Sequence, residues 1–308
     1  MDRTDSFRKA MDVTRHQTGI VIPVFFPEGV DTTLGETLLK DTVVAYCDQV
    51  SDPAWVCLSL DGEAFGLEIV KRMAEGFGVS TSVTPVNKGK LQAIRSGARC
   101  LLESKKLDYL AVVDQDGDHF ANELVNFIRT AEHIVHHAGT DGVLVLGQRV
   151  SRHRPMGFFR GELEEFADRV LVDILSYRAV IKGRPLRLEY AHTLGEFPDF
   201  HSGYKVFLRS TAEAVFLGEE NQAGVTETCY YRHACEAVLV VEALEYGAYL
   251  GVVNRSTFNE QPITTFGLYN RTQLMADKII WPCKRLEIPR AFVKQWMANH
   301  IPRLVLGT

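Results

Sequence analysis

Along the first half of the chain, short continuously apolar runs alternate with longer stretches whose apolar residues recur at helical spacing. Residues 19–26, GIVIPVFF, form a β-branched run of the kind a strand buried on both faces carries. Residues 33–50 then show helical periodicity, 54–62 (AWVCLSLDG) a second strand, 63–78 a helix ending on glycine, and 79–86 (VSTSVTPV) a third strand. A helix over 89–106 leads into the apolar run YLAVV at 109–113 as the fourth strand, followed by a helix over 122–139 and a strand over 142–149. Strands separated by helices of this length imply βαβ units with right-handed crossovers, hence an α/β fold with a mostly parallel sheet flanked by helices.

Beyond residue 150 the rhythm loosens. A helix over 161–180, a polar loop, a βα-like section from 202, a helix over 228–247, a strand over 248–254 and a helical segment near 270–306 are expected. Neither an internal repeat nor a low-complexity tract breaks the chain. The pattern divides into an N-terminal extension (1–18), a catalytic-sized domain (19–255) and a C-terminal helical appendix (256–308).

Composition narrows the setting. A formal net charge of -5 with a pI near 6.1 supplies no general attraction to nucleic acid. The six cysteines are scattered, show no CxxC or zinc spacing, and in several cases sit inside apolar runs, as expected of free buried thiols in a reducing, cytoplasmic setting. The first nineteen residues are polar and lack the apolar core of a signal peptide, and no run of 18 apolar residues occurs.

The fourth strand runs into DQDGDH, with Asp114, Asp116 and Asp118 on alternate positions. Ligands of open parallel sheets bind outside the carboxyl ends of the strands, which is where these residues fall. Like charges packed this closely raise one another's pKa unless a cation lies between them, and carboxylate oxygens suit Mg²⁺ or Mn²⁺ shared with a diphosphate. A plain Asp-Gly turn is the alternative. A calcium loop is excluded, because the twelfth position holds Val125 and a strand precedes the motif.

VVDQDGDHFANELVNFI resembles the DxD segment of family-2 glycosyltransferases with the GT-A fold, most closely the polyprenyl-phosphate sugar transferase branch. Other landmarks follow in the family's order: IVIPVFF, LSLDG, NKGKLQAIRSG, VLGQR and DFHSGYKVFLRS. The resemblance spans roughly residues 19–255 and implies a GT-A-like nucleotide-diphospho-sugar transferase fold, a UDP- or GDP-sugar donor and a divalent ion. It implies donor contacts from Pro23, Phe25, Asp61, Lys90, Asp114 and Asp116, with Asp114, Asp116 and Asp118 on the metal. Gly89 and Lys90 also have a direct reading, a tight turn onto a helix start where free N–H groups and a mobile positive charge favour phosphate. Phe26 and Pro27 replace the family's usual Asn-Glu.

For the acceptor side, the resemblance points to Arg149 on an acceptor phosphate and to Asp199, Ser202 and Gly203 around the sugar and acceptor pocket, with Asp199 also a candidate catalytic carboxylate. Arg152, His153, Arg154 and Arg160 add to a basic stretch that a solvated face would also explain. His119 reads as a supporting loop residue and His201 as an ordinary loop histidine. A hydroxyl acceptor needs a carboxylate base, and Glu236, whose apolar neighbours should raise its pKa, is the candidate, with Glu242 and a structural pairing of Glu236 with Arg232 as alternatives. The last thirty residues are too interrupted by proline to span a bilayer; packing against the main domain is the expectation, and their alternating aromatic and basic residues leave peripheral membrane contact or homodimer formation as alternatives. The expected activity is metal-dependent transfer of a sugar from a nucleotide-diphosphate sugar to the hydroxyl or phosphate of a small-molecule, glycan or lipid-phosphate acceptor. The other readings are a sugar nucleotidyltransferase, whose Gly-rich basic loop is missing after the first strand, and a non-catalytic nucleotide-sugar-binding protein.

Overall fold

The computed structural model describes residues 3–192, 197–262 and 270–306 of the 308. Helix α1 (Arg3–Gln17) and strand β1 (Thr18–Val24) precede α2 (Thr33–Cys47), β2 (Val56–Asp61), α3 (Leu67–Phe77), β3 (Ser80–Thr84), α4 (Lys90–Leu102), β4 (Tyr109–Val112), α5 (Leu124–Ala138) and β5 (Val143–Arg149). A short α6 (His153–Met156) and a long α7 (Phe158–Lys182) come next. They are followed by β6 (Lys205–Leu208), α8 (Arg209–Ala212), α9 (Cys235–Tyr246), β7 (Tyr249–Arg255), α10 (Arg271–Arg285) and α11 (Arg290–Leu306).

The strands form one sheet in the order β3-β2-β1-β4-β6-β5-β7. All are parallel except β6, which runs antiparallel to both β4 and β5. The continuous apolar runs are explained by burial on two faces. Along β1, Ile20, Ile22 and Val24 pack with Ala10 and Val13 of α1, Leu39 and Val43 of α2 and Phe127 of α5. Val21 points the other way, into a cluster with Ile94 and Ala98 of α4, Leu171 of α7 and Trp281 of α10. Each fully buried Leu, Ile or Phe contributes roughly 1.5–3 kcal/mol, so helix layers on both faces hold the strand ends in fixed positions.

Two features depart from the sequence pattern. Residues 3–17 are helical although only Ala10 and Val13 among their apolar side chains reach the core, which left a thin periodic signal in a polar stretch. Residues 228–233 form a π-type turn, so the helix expected over 228–247 becomes regular only at Cys235. That wider turn brings Arg232 and His233 to the wall of the cavity described below. The last segment packs inward, with Trp281 fully buried and its indole N–H donating to the Asn221 carbonyl at 3.1 Å. No helix among the described residues is long and apolar enough to cross a membrane. All six cysteines are free thiols, four of them buried.

Candidate functional site

The parallel strands place their carboxyl ends on one edge, and the antiparallel β6 starts at that same edge, so the segment 199–204 enters there as well. Between them lies a cavity of about 270 Å³, walled among others by Pro23, Phe25, Asp61, Lys90, Asp114, Asp116, Asp118, Arg149, His201, Gly203 and Glu236. Residues up to 255 positions apart in the chain, Pro23 and Lys278, thus share one wall because topology, not sequence proximity, gathers them.

On the donor side, Phe25 follows β1 and is clamped by Gln115, whose side-chain oxygen accepts from the Phe25 N–H and whose amide donates to the Phe25 carbonyl, both at 2.9 Å. Asp61, at the end of β2, accepts from the backbone N–H groups of Lys88 (3.0 Å) and Gly89 (2.7 Å). It thereby holds the turn into α4, where Gly89 has φ 139° and its α-carbon faces the Tyr231 carbonyl and Arg232 too closely for a side chain. Burial raises the Asp61 carboxyl, and these two N–H donors pull it back. Lys90, at the start of α4, is fixed between Asp114 (2.7 Å) and Glu236 (3.0 Å).

The three aspartates take three different states. Burial pushes Asp114 up, but Lys90 outweighs it and holds the carboxyl below its ordinary range. Asp116 is pushed up to about 6 by burial and by the charge of Asp114; it accepts from the Asp118 N–H at 3.2 Å and from the Gln261 amide at 3.2 Å. Asp118 is committed inward, accepting from Arg255 at 3.3 Å and from the Phe258 N–H at 2.7 Å. His119 is buried, stacks on Tyr204 at 5.0 Å and accepts the Asp114 N–H on Nδ1, so its single ring proton sits on Nε2; burial and Arg255 hold it neutral.

The acceptor side is a buried charge network. The Arg149 guanidinium forks onto Asp199 with two 2.6 Å bonds and donates to Glu164 at 2.8 Å. Glu164 on α7 also meets Arg160 at 3.3 Å and Lys278 of α10 at 3.5 Å. Arg152 approaches Asp199 and Asp168, each at 3.3 Å. His201 donates through its backbone N–H to Asp168 Oδ1 at 3.1 Å and pairs through Nδ1 with the same oxygen at 2.6 Å. Lys205 of β6 is fully buried and donates to the Ser202 carbonyl; burial pulls its amine down to about 8.

No protein-family model matches the chain, and no curated protein sequence matches it either. Among solved structures, a mannosyltransferase from Pyrobaculum calidifontis, in complex with GDP-Man and Mn²⁺, superimposes with a TM-score of 0.51 at 13% identity, covering 93% of this chain and 72% of that one. A mycobacterial protein (TM-score 0.48, 16% identity, 92% and 79% coverage) and S. aureus TarS (0.43, 10%, 89% and 73%) are also similar. This chain has a GT-A-like fold. Identity at this level speaks for the fold alone.

Within the GT-A-like fold, the expected donor residues Pro23, Phe25, Asp61, Lys90, Asp114 and Asp116 come together, as do Arg149, Gly203 and Glu236. Asp199 and Ser202 lie behind the wall, fully enclosed, Asp199 gripping Arg149 and Ser202 accepting from Arg255 at 3.3 Å. Asp199 is therefore a positioning residue, a correction to the expectation of a reacting one. Glu236 is corrected too. Burial alone would raise it, but Lys90, Lys278 and Lys205 prevail and bring its carboxyl down to about 2, so it anchors Lys90 instead of titrating as a base. Arg232 turns away from Glu236 and donates to Asn87, and Glu242 pairs with Arg285 at 2.7 Å. Lys90 is a fixed charge, not a mobile one. Gln115, Arg255, Glu164 and Asp168 were missed because each acts through a partner distant in sequence, which periodicity does not report.

Two predictions follow from this geometry. A methyl group at Gly203 would stand 2.6 Å from Asp114 Oδ2, which Lys90 pins in place. Gly203→Ala is expected to weaken Mn²⁺-dependent nucleotide binding by roughly tenfold to a hundredfold, as calorimetry would register, because the carboxylate must move. Because Asp116 takes up a proton near pH 6, Mn²⁺ affinity should be level above about pH 6.5 and fall about tenfold per pH unit below 6, in a titration series from pH 7.5 to 5.

Proposed function

We propose that the protein is a metal-dependent glycosyltransferase that moves a sugar from a UDP- or GDP-sugar to an acceptor. The observation that carries this reading is the pair Asp114 and Asp116 beyond β4, both lining the cavity at the carboxyl edge of a GT-A-like sheet, with the Asp116 carboxyl pushed up to about 6 by burial and by the charge of Asp114. The similar mannosyltransferase is in complex with GDP-Man and Mn²⁺, and the order of the sequence landmarks supports a family-2-like hexosyl transferase.

The residues fit such an ion. Both carboxylates offer hard oxygen donors, and their mutual repulsion is what a divalent cation relieves. Asp114 and Asp116 would hold Mg²⁺ or Mn²⁺, and Asp118, engaged by Arg255 and the Phe258 N–H, would support the loop more than coordinate. When bound, the ion supplies positive charge against the diphosphate of the leaving group. The protein's own contributions are separate. Asp61 holds the α4 start, Gln115 aligns Phe25 beside the donor, and Lys90 keeps a positive charge facing Asp114. Arg160 and Lys278, drawn to Glu164, supply cationic groups on the acceptor side for a phosphate, carboxylate or polar hydroxyl ligand.

Calorimetric titration of the protein with UDP, GDP and their common sugar conjugates, in Mn²⁺ and then in EDTA, tests the reading. Binding of one nucleotide class that needs the metal is expected. Absence of binding under both conditions would remove the transferase reading and leave the DQDGDH segment as a turn.

A further inference from the structure

With Glu236 held down by three lysines and Asp199 locked onto Arg149, neither carboxylate expected to take a proton is available for it. Of the remaining titratable groups in the wall, Asp61 caps α4, Asp118 holds Arg255, Glu164 faces Arg149, Arg160 and Lys278, and His119 has its lone-pair nitrogen occupied by the Asp114 N–H. His201 is different. Its side chain is 1% exposed and its Nδ1 lies 2.6 Å from Asp168 Oδ1, an oxygen that also fixes its backbone N–H. Nε2 is enclosed without a hydrogen-bond partner, and the residue belongs to the cavity wall. A buried ring nitrogen without a partner is costly to the fold, which invites a ligand proton. Two residues on, Gly203 stands against Asp114, so the loop that carries His201 also borders the donor carboxylates.

We propose that His201, oriented by Asp168, is the proton acceptor for an acceptor hydroxyl, which makes the second substrate an alcohol and not an already ionised phosphate. This rests on the transferase reading above. Asp168 takes the hydrogen bond of the Nδ1 proton, which leaves the lone pair on Nε2, the enclosed and unpartnered nitrogen of a residue that lines the cavity. As the acceptor oxygen forms its bond to the sugar's anomeric carbon, its proton passes to Nε2. The bond from that carbon to the donor's phosphate oxygen breaks, and its electron pair leaves on the nucleoside diphosphate. The imidazolium that results is paired with Asp168, fully enclosed on α7. The other charges around His201 are Glu164 on α7, Arg152 before α6, Arg149 at the end of β5, Asp199 in its own loop and Lys278 on α10. His233 makes a similar pair with Asp277 at 2.7 Å from the opposite wall and is the natural control.

The test uses the full chain with Mn²⁺ and whichever of UDP-glucose or GDP-mannose binds, following release of nucleoside diphosphate to water and to added glycerol. In His201→Gln and Asp168→Asn, donor binding should stay within about twofold of the parent, showing an intact fold and donor site. Turnover should fall about 10²-fold or more, and the limb of the pH–rate profile that reports a group losing its proton should disappear. Full turnover in His201→Gln, a loss confined to His233→Gln, or a parent protein that binds donor yet releases none would each overturn the assignment. Failure of the parent to bind any donor sinks the transferase reading instead.

Discussion

Asp116→Ala is expected to weaken metal-dependent nucleotide binding by about a hundredfold or more, while leaving the apo protein as stable as before or more so. The two halves of that result come from one fact. Asp116 is pushed up to about 6, first by burial and then by the neighbouring charge of Asp114. An acid whose folded pKa is raised destabilises the native state at pH values above that pKa, so above pH 6 its ionised form is a liability that alanine removes. Its hydrogen-bond donors, the Asp118 N–H and the Gln261 amide, are neutral, so a bound cation would supply a counter-charge that they do not. Calorimetry for affinity and scanning calorimetry for Tm at pH 7.5 read both halves. A turn-forming aspartate would give the reverse signature, with no change in binding and a lower Tm, and that outcome would end the case for the metal pair. At pH 5 the Tm gain should shrink, because the native carboxyl is then protonated in the parent as well.

Asp199→Ala is expected to destabilise the fold by about 3 kcal/mol, the lower end of the cost of breaking a buried ion pair. Asp199 is fully enclosed, and Arg149 meets it through two 2.6 Å bonds. Asp199 and Glu164 keep Arg149 charged against the pull of burial, so removing one anion leaves a guanidinium that does not escape by losing its proton. Glu164 remains as a partner at 2.8 Å, which is why the lower end applies, although it must also serve Arg160 and Lys278. With an unfolding entropy of about 2.1 cal/mol/K per residue, this cost lowers Tm by roughly 5 °C. Asp199→Asn, which keeps the shape and one acceptor oxygen, should lose about half as much. A Tm within 1 °C (about the measurement error) for the alanine variant would show that the network is not a structural keystone.

Much of this molecule was legible from local pattern. Runs such as IVIPV and LAVV are apolar at every position because helices cover both faces of the sheet, and that condition writes itself into sequence. Strand ends are equally local, so Asp61, Asp114 and Asp116 could be placed at the carboxyl edge from the point where each apolar run stops. The parallel β1, β2, β3 and β4 followed from helices long enough to cross back. What local pattern does not carry is the company each charge keeps. The same burial that suggested a raised pKa for Glu236 is present, yet Lys90, 146 residues away, together with Lys278 and Lys205, reverses the sign of the shift. The histidine in DFHSGYK was plain to see, but its meaning depends on Asp168, 33 residues earlier on a helix whose inward face only packing defines. The antiparallel course of β6, which delivers that loop to the donor edge, has no signature in alternation, since periodicity records which faces are buried and not which way a strand runs. Sequence alone determined the layers and the strand ends, because those depend on each residue's own solvation; the protonation states and pairings were decided only by the tertiary structure, because Coulomb energies depend on distances that folding sets.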